Sequence, residues 1–445
     1  MLLNKARFDS RTQLIIKNVV CSIFVKGWSA LVVLLMVPLT LSCLGVYVNG
    51  VWLTVSSILV WVDQMDIGLG NGLRNKLAAC VARDDWNEGR KIVSSAVMML
   101  LMISVIVWVL SEFIIWYVDI YSLLNVSEEI IPEFKVALLA AVTLVCMTFV
   151  MKFVSNVYMG VQLPSVSNFI MACGQTLALV GTWLLYHSGK ADFLSIVIVN
   201  TTAPLMANML IYPYTFYKRY PALRPSWKFV DMHVALGLAN LGVKFFWLQI
   251  VGIVQFMTAN ILISIFFTPA AVTPYQITYR YISIVLVIFS VIFMPYWTAT
   301  TDAYERGDIQ WIRDANRRMN FFTVIIAVII MFMVVVSPWV YDIWIGDKCE
   351  IPYEMTVMMG LYIFLIVSSM RYSYFLNGIG ALRLQLIMSF LVIFYIPVLY
   401  LVNMYMHNIL YFMVAMCMFT IPALVVNVIQ LNKIISFRAK GIWRK

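Results

Sequence analysis

Five cationic side chains stand inside otherwise apolar stretches of this sequence: Lys26, Lys152, Lys244, Arg280 and Arg371. Each shares a helical stripe with other polar residues at spacings of three, four or seven, which puts them on one helix face. Lys26 lies with Ser22 and Ser29, and Lys152 with Thr148, Ser155 and Asn156. Lys244 follows Asn240 and precedes Gln255 and Thr258, Arg280 sits between Gln276 and Ser283, and Arg371 between Ser368 and Tyr374. Lysine presents a point charge and arginine a planar fork, both suited to phosphate or pyrophosphate. The neighbouring hydroxyls, amides and aromatics suit a sugar. Few acids oppose them: Asp63 and Asp66 close the second apolar stretch, and Asp342 closes the ninth. The expected site is a cationic cavity for an anion.

The elements that must hold these charges are membrane spans. Of 445 residues, 63% are hydrophobic and only 12% charged, against about 25% charged in a soluble domain. Runs of about 20 apolar residues, enough to cross a bilayer, predict twelve helices near 18–40, 46–67, 92–112, 134–158, 165–187, 193–217, 235–267, 274–298, 321–345, 354–377, 384–403 and 409–431. An intramembrane charge is costly and faces a cavity or a partner, unless it reaches the interface along its own stem. At 1.5 Å per residue, Lys26 and Lys244 lie roughly 12–14 Å from their helix ends, too deep to reach out. Lys152, Arg280 and Arg371 lie about 9–10 Å in, shallow enough for either placement.

Charge in the connections gives an orientation. One set holds Lys5, Arg7, Arg11 and Lys17, then the clusters at 74–91, 218–228 and 306–318, Arg383, and a basic C-terminal segment. The opposite set holds only Lys135, Lys190 and Lys348. By the positive-inside rule both termini are cytoplasmic. The net charge of +10 therefore reports topology rather than a nucleic-acid partner. The first apolar run has span length and no small-residue cleavage site, so it reads as a signal-anchor helix. The longest opposite-side connection, near 113–133, is short and acidic, which weighs against an enzyme with its chemistry in an external loop.

Six spans fall on each side of the basic loop near Lys228, giving expected halves at 1–228 and 229–445. Lys26 and Lys244, Gly160 and Gly378, and Pro204 and Pro422 recur about 218 residues apart, as do Lys152 with Arg371 and Trp28 with Trp247. The pattern implies two parallel repeats, an arrangement that places substrate sites between halves. Pro204 and Pro422 free backbone groups inside spans six and twelve, either as gating bends or as static kinks. The seven cysteines are scattered without a CxxC pair and read as small apolar residues. The three histidines lie far apart, so no metal site, catalytic group or cofactor is expected.

The segment Asp66-x-Gly68-Leu69-Gly70-Asn71-Gly72-Leu73-Arg74-Asn75-Lys76-Leu77-Ala78 follows a helix and lacks the Lys-Ser/Thr of a phosphate loop, which disfavours nucleotide binding. Together with Gly45-x-Tyr47-x-x-Gly50-x-Trp52 and Lys244-Phe245-Phe246, it resembles the polysaccharide flippases, including Wzx-type O-antigen transporters, of the multidrug/oligosaccharidyl-lipid/polysaccharide exporter superfamily. The resemblance covers the whole chain. It implies an all-α polytopic protein with two six-helix bundles in a MATE-like V, working by alternating access in a bacterial inner membrane. The implied substrate is an undecaprenyl-diphosphate-linked oligosaccharide (an O-antigen, capsule or exopolysaccharide unit), with membrane lipids, a coupling ion (H+ or Na+) and glycan polymerase machinery as partners. The site expectation is Lys26, Lys244, Lys152, Arg371 and Arg280 for the substrate. Asp63, Asp66, Pro204 and Pro422 are expected in coupling or gating. The rivals are a cation-coupled multidrug antiporter using Asp63 or Asp66, a membrane glycan polymerase or glycosyltransferase, and a scramblase-like or scaffold protein.

Overall fold

The computed structural model describes residues 10–66 and 68–444; the side chains at 10–20, 23, 239–246, 248–249, 256, 291, 294–295 and 298 lie outside the described set. The described chain is helical throughout, without strands. In order, the helices are α1 (Ser10–Asp63), α2 (Leu69–Ala82), α3 (Trp86–Tyr117), α4 (Ile120–Leu123), α5 (Phe134–Met151), α6 (Phe153–Gly160), α7 (Pro164–His187) and α8 (Phe193–Pro213). They continue as α9 (Met232–Phe266), α10 (Pro269–Ile282), α11 (Ile284–Glu305), α12 (Ile309–Trp344), α13 (Tyr353–Ile379), α14 (Arg383–Ser389), α15 (Tyr395–Met406) and α16 (Ile409–Ile435).

All twelve expected spans fall on helix. Among the described residues nine helices are long and apolar enough to cross a membrane, and the one at Phe24–Asp63 runs 40 residues. At 1.5 Å per residue that is about 60 Å, twice a hydrocarbon core of ~30 Å. The helix is two crossings joined at Gly45, whose φ of 68° and ψ of 176° belong to a region essentially reserved for glycine. Before Gly45, Ser22 and Trp28 bond Asn168 and Thr176 of α7; after it, Asp63 pairs with Lys152. The spans expected near 235–267 and 274–298 coincide with α9 and with α10 plus α11, and lie outside those nine.

Exposed apolar side chains mark the lipid-facing surface. On α12, Phe321, Val324, Val328, Phe332, Val335, Trp339 and Ile343 are all exposed, at spacings of three and four. Such a band on a water-soluble protein would drive association; in a bilayer it faces hydrocarbon. The protein is a polytopic membrane protein.

By contacts the chain forms two compact units: Met1–Val48 with Val55–Ile250, and Asn49–Thr54 with Val251–Lys445. The division runs within α9 rather than ahead of it, because the start of α9 packs in the first unit, where Gly72 of α2 approaches the Leu238 carbonyl. In unit 1, α3 packs on α5, α5 on α8 and α7 on α8. In unit 2, α12 packs on α13, α13 on α16 and α15 on α16. The pairings match in order along the chain.

Candidate functional site

In unit 1 the fourth span is broken at Lys152, which ends α5 and starts α6. Lys152 Nζ lies 2.5 Å from Asp63 Oδ2, in a half-exposed pair with side chains 41% and 23% exposed. Two residues expected in separate roles, one on the substrate and one in coupling, are thus brought together. Each is the other's ion-pair partner.

Asp66 is bonded to backbone amides. Its Oδ1 accepts from the Gly68 amide at 3.1 Å and its Oδ2 from the Gly70 amide at 3.0 Å, at the start of α2. A carboxylate on these amides supplies the charge a helix N-terminus favours. Gly68 turns the chain into the helix with a φ of 70°. A side chain at Gly70 would meet Asn156 Nδ2 at 2.8 Å and Asp66 Oδ2 at 2.9 Å. The glycine-rich segment is therefore a cap and a close helix contact on α6.

Lys26 is exposed. Beside it, Val25, Trp28, Cys173, Thr176 and Ala207 contribute to an apolar cleft of about 630 Å³ between the first crossing, α7 and α8. Lys244 lies in α9, but its side chain is outside the described residues.

Each of the intrahelical prolines Pro204 and Pro422 has an asparagine a few residues beyond it. Pro204 lies inside α8, and Asn208 Nδ2 donates to its carbonyl at 2.9 Å. Asn208 Oδ1 also accepts from Ser155 Oγ of α6 at 3.3 Å. Pro422 lies inside α16, and five residues on, Asn427 Nδ2 donates to Ser373 Oγ of α13 at 3.0 Å.

The arginines of unit 2 stand apart from each other. Arg371 is only 3% exposed. Its guanidinium donates to Thr323 Oγ1 at 3.2 Å and Asn316 Oδ1 at 3.3 Å, both on α12, and lies 4.0 Å from the Tyr372 ring centroid. No carboxylate forms an ion pair with it among the described residues. Arg280 is half-buried in the last turn of α10, where the eighth span breaks at Ser283.

One polar feature escaped a reading guided by charge. A cavity of about 180 Å³ in unit 2 is lined by Gln255, Ser369, Ser373, Gln385, Tyr395 and Asn427, among others, all uncharged. The signal for it was present as amides at helical positions in spans seven, eleven and twelve.

No protein-family model matches the chain, and no curated protein sequence matches it significantly. Solved structures do match. An inward-facing multidrug resistance MATE family transporter of the MOP superfamily aligns at a TM-score of 0.75 with 12% identity, over 94% of this chain and 95% of that one. An outward-facing MATE family transporter aligns at 0.63 with 16% identity, over 97% of each chain. A mutant of the Vibrio cholerae MATE transporter VcmN aligns at 0.65 with 14% identity, over 96% of this chain and 98% of that one. Across nearly its whole length, the chain has the fold of the MATE transporters.

Proposed function

We propose that this protein is a flippase that moves an undecaprenyl-diphosphate-linked oligosaccharide from the cytoplasmic to the outer leaflet of a bacterial inner membrane. The observation that carries the reading is the uneven state of the intramembrane charges in unit 1. Lys26 is exposed deep in the first crossing, while Lys152 is matched by Asp63 and Asp66 is held by the amides of α2. The deep charge left available to a ligand is positive, which favours a phosphate-bearing one.

The two repeats act as rocking bundles, with halves at 1–228 and 229–445 exposing the site alternately to each side. Lys26 and Lys244 attract the pyrophosphate and the lipid tail remains in the bilayer. Lys152, Arg280 and Arg371 act as supporting charge rather than as direct ligands, given the partners or burial described for Lys152 and Arg371. Pro204 and Pro422 are the bends around which the sixth and twelfth spans flex. The termini are cytoplasmic, and the delivered glycan passes to polymerase machinery on the far side.

A second reading, a cation-coupled multidrug antiporter, is favoured by the multidrug transporters among the similar folds. It would use Asp63, opened by release of Lys152, to bind H+ or Na+. Deletion of the gene separates the two. Accumulation of lipid-linked oligosaccharide with unchanged dye efflux supports the flippase; lost efflux with normal surface glycan supports the antiporter.

A further inference from the structure

The eleventh span is not a continuous α-helix. α14 ends at Ser389, a 3₁₀ stretch covers Phe390–Phe394, and α15 resumes at Tyr395. Irregular backbone at membrane depth is tolerated where it is buried in protein or lines a cavity, and interrupted helices mark binding sites in transporters. Here the break borders the 180 Å³ cavity of unit 2.

The chemistry of that cavity is narrow. Carboxamides enter it from Gln255, Gln385 and Asn427, and a hydroxyl from Ser369. Among the described residues its lining contains no Asp, Glu, Lys, Arg or His. Without a carboxylate a metal cation lacks its usual charged ligand, and without Lys or Arg a phosphate lacks its counter-charge. The remaining class is an uncharged ligand rich in hydroxyls. One group is already set for it: Gln385 Nε2 is buried without a hydrogen-bond partner, an arrangement that is costly unless filled. The lining also includes Tyr395 and Phe419, their rings edge to face at 5.3 Å, which offer an apolar surface for the C–H face of a sugar ring. At about 30 Å³ per molecule the space would hold roughly six waters, comparable to one pyranose ring.

We infer that this chamber binds a single uncharged sugar residue of the transported glycan, with Gln385, Gln255 and Ser369 reading its hydroxyls and Tyr395 and Phe419 bounding its apolar face. The inference rests on the flippase reading and adds to it a neutral sugar subsite distinct from the phosphate-attracting lysines. Substrates with a neutral hexose or N-acetylhexosamine at the matching position are preferred over wholly acidic ones.

The test uses the full chain in phospholipid nanodiscs, free of glucoside and maltoside detergents. Saturation-transfer NMR is recorded with methyl α-glucopyranoside and N-acetylglucosamine as probes, with sodium chloride titrated separately. Transfer to at least one glycoside is expected in the wild type, weakened about threefold to tenfold in Gln385→Leu and in Ser369→Ala, and retained in Phe332→Ala on the exposed face of α12. Thermal unfolding of each variant verifies its folding. Absence of transfer in the wild type, equal transfer in the folded variants, or a response to sodium alone overturns the assignment. Transport of a lipid-linked oligosaccharide is measured on the same preparation. Glycoside binding without transport would sink the flippase reading and leave the chamber; transport without glycoside binding would do the reverse.

Discussion

Ser155 and Asn208 join the fourth span of unit 1 to the sixth by a 3.3 Å hydrogen bond. About 218 residues further along, Ser373 and Asn427 join the tenth span to the twelfth at 3.0 Å. The same two residue types bridge the same pair of helices in each half, each Asn a few residues beyond an intrahelical proline. Polar bridges of this kind hold helices together where hydrocarbon offers no hydrophobic drive. Both units keep this clamp while their charged positions diverge: Lys152 faces an acid, and Arg371 at the corresponding place faces Asn316 and Thr323.

The two clamps should contribute similarly. Asn208→Leu and Asn427→Leu are each expected to lower unfolding stability in mild detergent by about 0.5–2 kcal/mol. Asn208→Leu is expected to cost more, since Asn208 also bonds the Pro204 carbonyl. Thermal unfolding of the single variants measures this; a larger loss for Asn427→Leu contradicts it.

Lys152 and Asp63 are expected to behave as one unit. Lys152→Met or Asp63→Asn alone leaves an uncompensated charge and should destabilise by about 1–3 kcal/mol. The double variant should recover part of that loss, and a double-mutant cycle on denaturant stability reads the coupling. Additive losses would show that the pair does not interact. Under the flippase reading the double variant retains surface glycan; under the antiporter reading it loses efflux.

The paired glycines at helix contacts give a graded prediction. A methyl group at Gly378 would lie 2.7 Å from the Trp297 carbonyl oxygen, which is backbone, whereas at Gly160 it would lie 2.8 Å from the Leu77 side chain. Overpacking costs about 1–3 kcal/mol, and backbone yields less readily than a side chain. Gly378→Ala should therefore lower the unfolding temperature more than Gly160→Ala; the opposite order contradicts the packing described.

The spans were legible because hydropathy at bilayer length is a strong signal, and the Gly45 reversal fell in the short gap left between the first two. The breaks at Lys152, Ser283 and Phe390–Phe394 were not, since a helix interrupted inside an apolar run keeps the same composition. Charge depth separated Lys26 from Lys152 but could not supply the Asp63 partner, which is 89 residues away in sequence. Arg371 offered only a thin polar stripe on its own helix. Its hydrogen-bond partners come from α12, and Asn316 falls before the expected start of span nine. The neutral chamber was not legible because Gln255, Gln385 and Asn427 come from three separate spans that only the fold brings to one cavity.

Cys349 supplies a test outside the spans. It is buried next to Glu350, and burial first, with that acid adding to it, pushes its thiol up to about 11. The thiolate is the reactive form, so maleimide labelling of Cys349 at neutral pH should be slow, rising as pH approaches 11 or on denaturation. A variant retaining Cys349 as its sole cysteine allows this to be followed; rapid labelling at pH 7 in folded protein would show an open site.

Under the flippase reading the deep positive charge serves a lipid-linked anion. The most direct measurement is translocation of undecaprenyl-diphosphate-linked oligosaccharide in proteoliposomes, comparing wild type with the Lys26→Ala, Lys244→Ala double variant at equal protein level and fold. The account predicts transport by the wild type and a fall of about tenfold or more in the variant, as loss of charge-assisted contacts implies. Equal transport by both proteins, or none by the wild type, would contradict it.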